Sequence, residues 1–160
     1  MSESTGFTLG KYAPFHKGHQ FVIETALAEM DRVIVLIYDA KAQTAIPLGV
    51  RASWIRAIYP EVEVIEGHNG PTATGNTPEI QQLQDAYIRN MLGGRQITAF
   101  YSSEPYGEPT SHTLGAINRQ VDPQRAHVPI SATLIRADPE KYRPFLHPIV
   151  YRDLCRFGEC

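Results

Sequence analysis

Apolar positions along the chain alternate between short, nearly continuous runs and longer segments with helical spacing. Phe7-Thr8-Leu9-Gly10 suits a short strand after a polar lead, and Lys11 to His16 is a loop punctuated by Pro14. From Gly18 to Met30, the residues Val22, Ile23, Ala26, Leu27 and Met30 share one face of a helix. Arg32-Val33-Ile34-Val35-Leu36-Ile37-Tyr38 is almost unbroken in apolar residues, the mark of a strand buried on both faces of a parallel sheet. A helix is predicted from Val50 to Ile58, stopped by Pro60, and a third strand at Val62-Glu63-Val64-Ile65. A second long helix runs from Glu79 to Leu92, entered through Asn76-Thr77-Pro78 and closed by Gly93-Gly94. Ile97-Thr98-Ala99-Phe100-Tyr101 predicts a fourth strand, with a short strand near Arg119 to Asp122 and a last helix from Ser131.

Strands alternating with helices predict an α/β fold: a doubly wound, Rossmann-like parallel sheet of about five strands flanked by helices, with right-handed crossovers. Ligands of such sheets bind beyond the carboxyl ends of the strands. The loops after the first and fourth strands, and the one before the last helix, are therefore the places to look for chemistry. Glu66 to Pro78 is rich in Gly, Pro, Thr and Asn and has no periodicity, so a long loop is expected, either a binding loop or simply mobile. Without repeats or low-complexity tracts, residues 1–160 read as a single unit.

Composition narrows the classes of partner. The 160 residues suffice for one buried core, and 42% hydrophobic with 20% charged residues excludes a disordered chain. Fifteen Lys and Arg against 17 Asp and Glu supply no basic field for a polynucleotide, whereas a small nucleotide needs only a few well-placed donors. Met1 to Gly6 is polar and lacks a signal-peptide core, and Val33 to Ile37 is too short to span a bilayer. A cytoplasmic protein with no membrane partner is the expectation, and a homo-oligomer is compatible with it. Cys155 and Cys160 are read as reduced thiols, the alternatives being a bridge or half a metal site.

Two stretches carry candidate chemistry. The first, Gly10-Lys11-Tyr12-Ala13-Pro14-Phe15-His16-Lys17-Gly18-His19, lies between a strand and a helix, where open N–H groups and the helix dipole favour an anion. His16 and His19 can aim ring N–H groups at one phosphate, Gly18 leaves room for close approach, and Lys11 adds a cation. The same residues also fit surface or capping histidines, or a zinc pair lacking a third ligand at a usual spacing. The second stretch is Pro129-Ile130-Ser131-Ala132-Thr133-Leu134-Ile135-Arg136. Ser131 is a natural N-cap, and Thr133 and Arg136 can reach over the same helix end. Taken alone, a plain capped helix with an exposed arginine is the better account of it, since such caps are common. A triphosphate needs donors on several sides, and the pair of stretches offers them.

Together these stretches resemble the HxGH and SxTxxR signatures of the nucleotidyltransferase superfamily. Within it, the chain resembles the nicotinamide-mononucleotide adenylyltransferase domain of NadR-type proteins. The likeness extends to Arg51 and Trp54, to Tyr101-Ser102-Ser103-Glu104-Pro105, to Val121-Asp122-Pro123-Gln124-Arg125, and past Arg136 through Pro139, Tyr142 and Pro144. The resemblance implies attack of an acceptor phosphate on the α-phosphorus of ATP, with magnesium-bound pyrophosphate leaving and no covalent enzyme intermediate. It implies catalytic roles for His16, His19, Lys11 and Arg136. It implies ATP contacts from Gly10, Tyr12, Gly18, Ser102, Ser131, Thr133 and Arg136, and acceptor contacts from Lys11, Arg51 and Trp54. Magnesium would arrive on the triphosphate, with no metal ligands from protein side chains.

One departure concerns the acceptor. Relatives carry an asparagine-glycine-tryptophan stretch where this chain has Gly75-Asn76-Thr77-Pro78-Glu79-Ile80, and Trp54 is its only tryptophan. Trp54 fits either stacking on a ligand or core packing. No GxxxxGK[ST] pattern occurs, so the kinase of NadR-type proteins is not expected in this chain, and separately their N-terminal DNA-binding helix pair is not expected either. Other acceptors within the superfamily, including those of phosphopantetheine adenylyltransferases and cytidylyltransferases, are alternatives, although His16 argues against the first. A nucleotide-sensing module without turnover is a further one. A class I aminoacyl-tRNA synthetase fragment fails on length, charge and the lack of a KMSKS-like loop.

Overall fold

The computed structural model describes residues 3–71, 77–104 and 107–160. Its strands are β1 (Thr5–Gly10), β2 (Arg32–Tyr38), β3 (Glu63–Gly67), β4 (Ala99–Ser102) and β5 (Ile117–Gln120). Its helices are α1 (Lys17–Glu29), α2 (Leu48–Ile58), α3 (Pro78–Leu92), α4 (Gly107–Leu114), α5 (Ala132–Ala137) and α6 (Pro148–Arg156). All strand pairs are parallel, in the order β3-β2-β1-β4-β5. The strand order therefore reverses between β1 and β4, as expected of the doubly wound class.

The unbroken apolar run of β2 feeds both faces of the sheet, because successive side chains point to opposite sides. Val33, Val35 and Ile37 join a core with Val22, Ile23 and Ala26 of α1, with Ile55 of α2, and with Val150 and Leu154 of α6. Ile34 and Leu36 join the opposite core with Phe7, Phe100 and the α3 residues Ile88 and Leu92. Burial on both sides is why the run could dispense with polar alternation.

Several boundaries and elements differ from expectation. Glu66 and Gly67 extend β3 through pairing with Ile37 and Tyr38, so the loop after it starts later than Glu66. Within that loop residues 72–76, which include Gly75 and Asn76 of the departure noted above, lie outside the described residues, as does Pro105. Two helices were not anticipated. The α4 sequence has the composition of a turn. Helix α6 carries legible signals, His147 as N-cap, Pro148 at N1 and the Val150/Leu154 pair on its buried face.

The reduced-thiol expectation is corrected. Cys155 and Cys160 form a disulfide. Gly158, with φ 75°, reverses the chain at the end of α6, and Glu159 N–H returns to the Leu154 carbonyl, which brings the second sulfur back to the helix. No helix among the described residues is long and apolar enough to cross a membrane.

Candidate active site

The loop leaving β1 and the first turn of α1 build a histidine pair. His16 is the N-cap, in extended conformation, and its Nδ1 accepts from Gly18 N–H at 3.0 Å and His19 N–H at 3.3 Å. His19 Nδ1 accepts in return from His16 N–H at 3.1 Å. This is a capping box made from two imidazoles. A ring nitrogen that accepts a hydrogen bond carries no proton, so both rings hold theirs on Nε2. The capping and phosphate-donor readings of these histidines are thus compatible: one ring nitrogen fastens the helix and the other remains a donor.

The rings stack with centroids 3.7 Å apart, and Tyr12 meets His19 edge-on at 4.7 Å. Burial, and then the nearby charge of Arg125, push the His16 pKa down to about 3. His19 keeps one edge at the surface but is enclosed by Tyr12, Phe15 and His16. Burial, then the charges of His16 and Arg125, hold its pKa well below the usual histidine value. Both are neutral donors at physiological pH.

Gly18 leaves space that the His16 ring occupies. A Cβ there would come within 2.8 Å of His16 Cε1 and 3.0 Å of its Nδ1. The missing side chain is what lets the His16 ring fold back over the helix start. A Cβ on Gly10 would similarly meet the Tyr12 ring at 3.1 Å, and Tyr12 itself is buried with φ 49°. Tyr12 is a wall behind His19. Lys11, next to it, is exposed and makes no ion pair among the described residues.

The second motif meets the first directly. Arg136 donates from Nη1 to the carbonyl of Ala13 at 2.7 Å, across 123 residues of sequence, and from Nη2 to Thr133 Oγ1 at 3.5 Å. Ser131 is the N-cap of α5, accepting from Leu134 N–H at 3.2 Å. Helix α5 has only six residues, so anion binding there would rest on side chains more than on a dipole. A cavity of about 210 Å³ opens beside the junction, lined by Pro14, Gln43, Ile135, Arg136 and Glu159 among others. Ser102 ends β4, on the other side of the sheet reversal, and is half-buried.

Two expected acceptor residues face inward. Trp54 is only 1% exposed, and its indole Nε1 donates to Asp153 at 2.8 Å. It is core, and no ring face is open to a ligand. Arg51 is equally buried, and bonds the main-chain carbonyls of Lys11, Tyr38 (2.9 Å) and Ile46 (3.1 Å). Its charge braces the ends of β1 and β2 instead of lying on the surface. Sequence reasoning missed Tyr38 and Tyr87, whose rings stack 6.1 Å apart at the carboxyl end of β2, with Tyr87 donating to the His68 carbonyl. It also left Arg125 unassigned. No cluster of three or more His, Cys, Asp or Glu residues suited to a metal occurs among the described residues.

Gathered around the reversal between β1 and β4, these features define a nucleotidyltransferase-type α/β domain. The chain belongs to the cytidylyltransferase-like family, whose model matches residues 7–138. Among solved structures it is similar to a NadR protein crystallised with NAD and AMP-PNP, at 20% identity and a TM-score of 0.66, over 92% of this chain and 46% of that one. It is also similar to a bifunctional NMN adenylyltransferase/ADP ribose pyrophosphatase from Francisella tularensis complexed with AMP and a manganese ion. There the identity is 17% and the TM-score 0.65, over 99% of this chain and 50% of that one. A lipopolysaccharide core biosynthesis protein from Thermoplasma volcanium shares the fold more distantly, at 13% identity and a TM-score of 0.51, over 75% of this chain and 95% of that one. The chain spans about half the length of the NadR and Francisella proteins.

Proposed function

We propose that this chain is an adenylyltransferase that joins AMP from ATP to nicotinamide mononucleotide, giving NAD and pyrophosphate. The observation that carries the reading is the bond from Arg136 to the Ala13 carbonyl, which draws the two phosphate-type motifs to one site. In the reaction an acceptor phosphate oxygen attacks the α-phosphorus, and the bond from that phosphorus to the bridging oxygen of the β-phosphate breaks. Phosphoryl-type transfer of this kind depends on positioning and charge stabilisation more than on an acid–base pair.

His16 and His19 donate from Nε2–H to the reacting phosphates, and Lys11 positions them as the exposed cation. Ser131, Thr133 and Arg136 hold the β- and γ-phosphates. Arg51 acts through the main chain, fixing the loop that carries Lys11. A donor set of imidazole N–H, lysine and arginine fits a polyphosphate that brings its own magnesium. That ion would neutralise charge on the phosphate oxygens. Residues 1–160 serve as one nucleotidyltransferase unit in this reading.

Burial of Trp54 favours a second reading, an acceptor other than a nicotinamide nucleotide, because the lone tryptophan is withdrawn from the cleft. Tyr38 and Tyr87, stacked at the carboxyl end of β2 on the face of the sheet opposite Trp54, are the aromatic pair offered to an acceptor in either case. Incubation with ATP, magnesium and nicotinamide mononucleotide should release NAD and pyrophosphate in equal amounts. Pyrophosphate release only with other phosphate acceptors would establish the second reading. ATP binding without pyrophosphate release across a broad acceptor panel would replace both with a sensor.

A further inference from the structure

Arg125 occupies a position that the roles above leave unused. The segment from Arg125 to Ile130 lies along the start of α1. His127 packs edge-on against Phe21 with ring centroids 4.4 Å apart. The Ile130 side chain covers Gly18, since a Cβ on that glycine would meet Ile130 Cγ2 at 3.5 Å. Arg125 holds this arrangement by donating from Nη1 to the Ile130 carbonyl at 2.8 Å, one residue before Ser131. Its guanidinium is therefore anchored between the histidine turn and the second motif, and its charge bears on both His16 and His19.

The other end of the guanidinium has a replaceable partner. Nη2 meets Glu104 Oε1 at 3.1 Å, and the Glu104 side chain is 56% exposed. Glu104 follows β4 by two residues, on the loop beside the sheet reversal. Exposed ion pairs are weak, and a multiply charged phosphate competes well for an arginine whose remaining donors are already oriented. The anchor to Ile130 survives such an exchange, because it uses a different nitrogen.

We propose that Arg125 is a further polyphosphate-binding residue, occupied by Glu104 in the absence of nucleotide and released to the β- and γ-phosphates when one binds. This rests on the nucleotidyl-transfer reading and adds to it a residue and an exchange. The carboxylate keeps the site closed to weak anions and gives way to a triphosphate. Arg125 is placed on the leaving-group side because its anchor, Ile130, adjoins Ser131, whereas Arg51 and the tyrosine pair lie at the ends of β1 and β2.

Calorimetric titration with magnesium ATP, AMP and inorganic pyrophosphate tests the exchange in wild type, R125A and E104Q. R125A should weaken ATP and pyrophosphate about tenfold or more, while AMP stays within about twofold. E104Q removes the competitor, keeps the Ile130 anchor and should tighten pyrophosphate about threefold. Equal weakening of ATP and AMP in R125A, or unchanged or weaker pyrophosphate binding in E104Q, would overturn the proposal. If R125A does not fold, E104Q decides alone. Binding that follows these expectations without any turnover would sink the transfer reading and leave the Arg125 assignment standing. Turnover with unaltered binding in both variants would do the reverse.

Discussion

His16 and His19 cap one another across a single helical turn, each Nδ1 accepting a main-chain N–H while the rings lie 3.7 Å apart. The arrangement fixes the tautomer of both, because protonating either Nδ1 would break the helix start. Two neutral donors aimed from one turn suit an oxygen whose negative charge grows during reaction.

The pH dependence of the free protein follows. Burial holds the folded-state pKa of His16 at about 3 and that of His19 well below normal, against about 6.5 unfolded. Above pH 6.5 both states are neutral and these groups contribute no slope. As pH falls below it, the unfolded chain takes up protons that the folded one refuses, so stability declines from about pH 6.5 toward about pH 3. Nuclear magnetic resonance should show both imidazoles neutral at pH 5, and urea midpoints should fall with acidification. An ordinary titration near pH 6.5 for both rings would contradict the buried pair.

Separating the cap from the donor distinguishes the two jobs of His16. In His16→Asn the side-chain oxygen can still cap α1, so the melting temperature should stay close to wild type. Turnover should drop roughly 10²–10³-fold with the loss of one transition-state donor. His19→Ala should lower turnover by a similar factor. Near-normal rates in both would remove the imidazoles from the chemistry.

Gly18→Ala tests the space that the His16 ring needs. The added methyl would lie 2.8 Å from Cε1, so the ring must move. Alanine is the better helix former, which offsets part of the strain. The expected result is a folded protein with turnover reduced about tenfold to a hundredfold, since sub-ångström misplacement is costly in such sites. Wild-type kinetics in the variant would show that the ring's position is not critical.

Trp54→Phe probes a structural role. It removes the indole donor to Asp153, a carboxylate only 3% exposed, leaving Arg152 Nε at 3.3 Å as its remaining side-chain partner. Denaturant unfolding should show a loss of about 1–3 kcal/mol. The acceptor KM should stay unchanged. A large KM increase at preserved stability would return Trp54 to the acceptor site.

Much of this protein was legible in one dimension. The unbroken β2 run announced a strand buried on both faces, and the Thr77-Pro78 start and Gly93 end of α3 stand where the capping pattern put them. Helix α4 was missed because its Gly, Pro, Thr and Ser content is that of a turn. The disulfide was missed because sparse cysteines argue for thiols until the Gly158 reversal is known.

Local order was thus the sequence's to determine: the alternation of strand and helix, the histidines at one helix start and Ser131 at another. Those depend on spacing and capping within a few residues. Which residues face a ligand and which face the core was decided only by packing. Trp54 and Arg51 carry ligand-like chemistry, yet the fold gives their donors to Asp153 and to three carbonyls. Likewise, the meeting of Arg136 with Ala13 spans 123 residues, and no local periodicity encodes a contact made by closing the whole sheet.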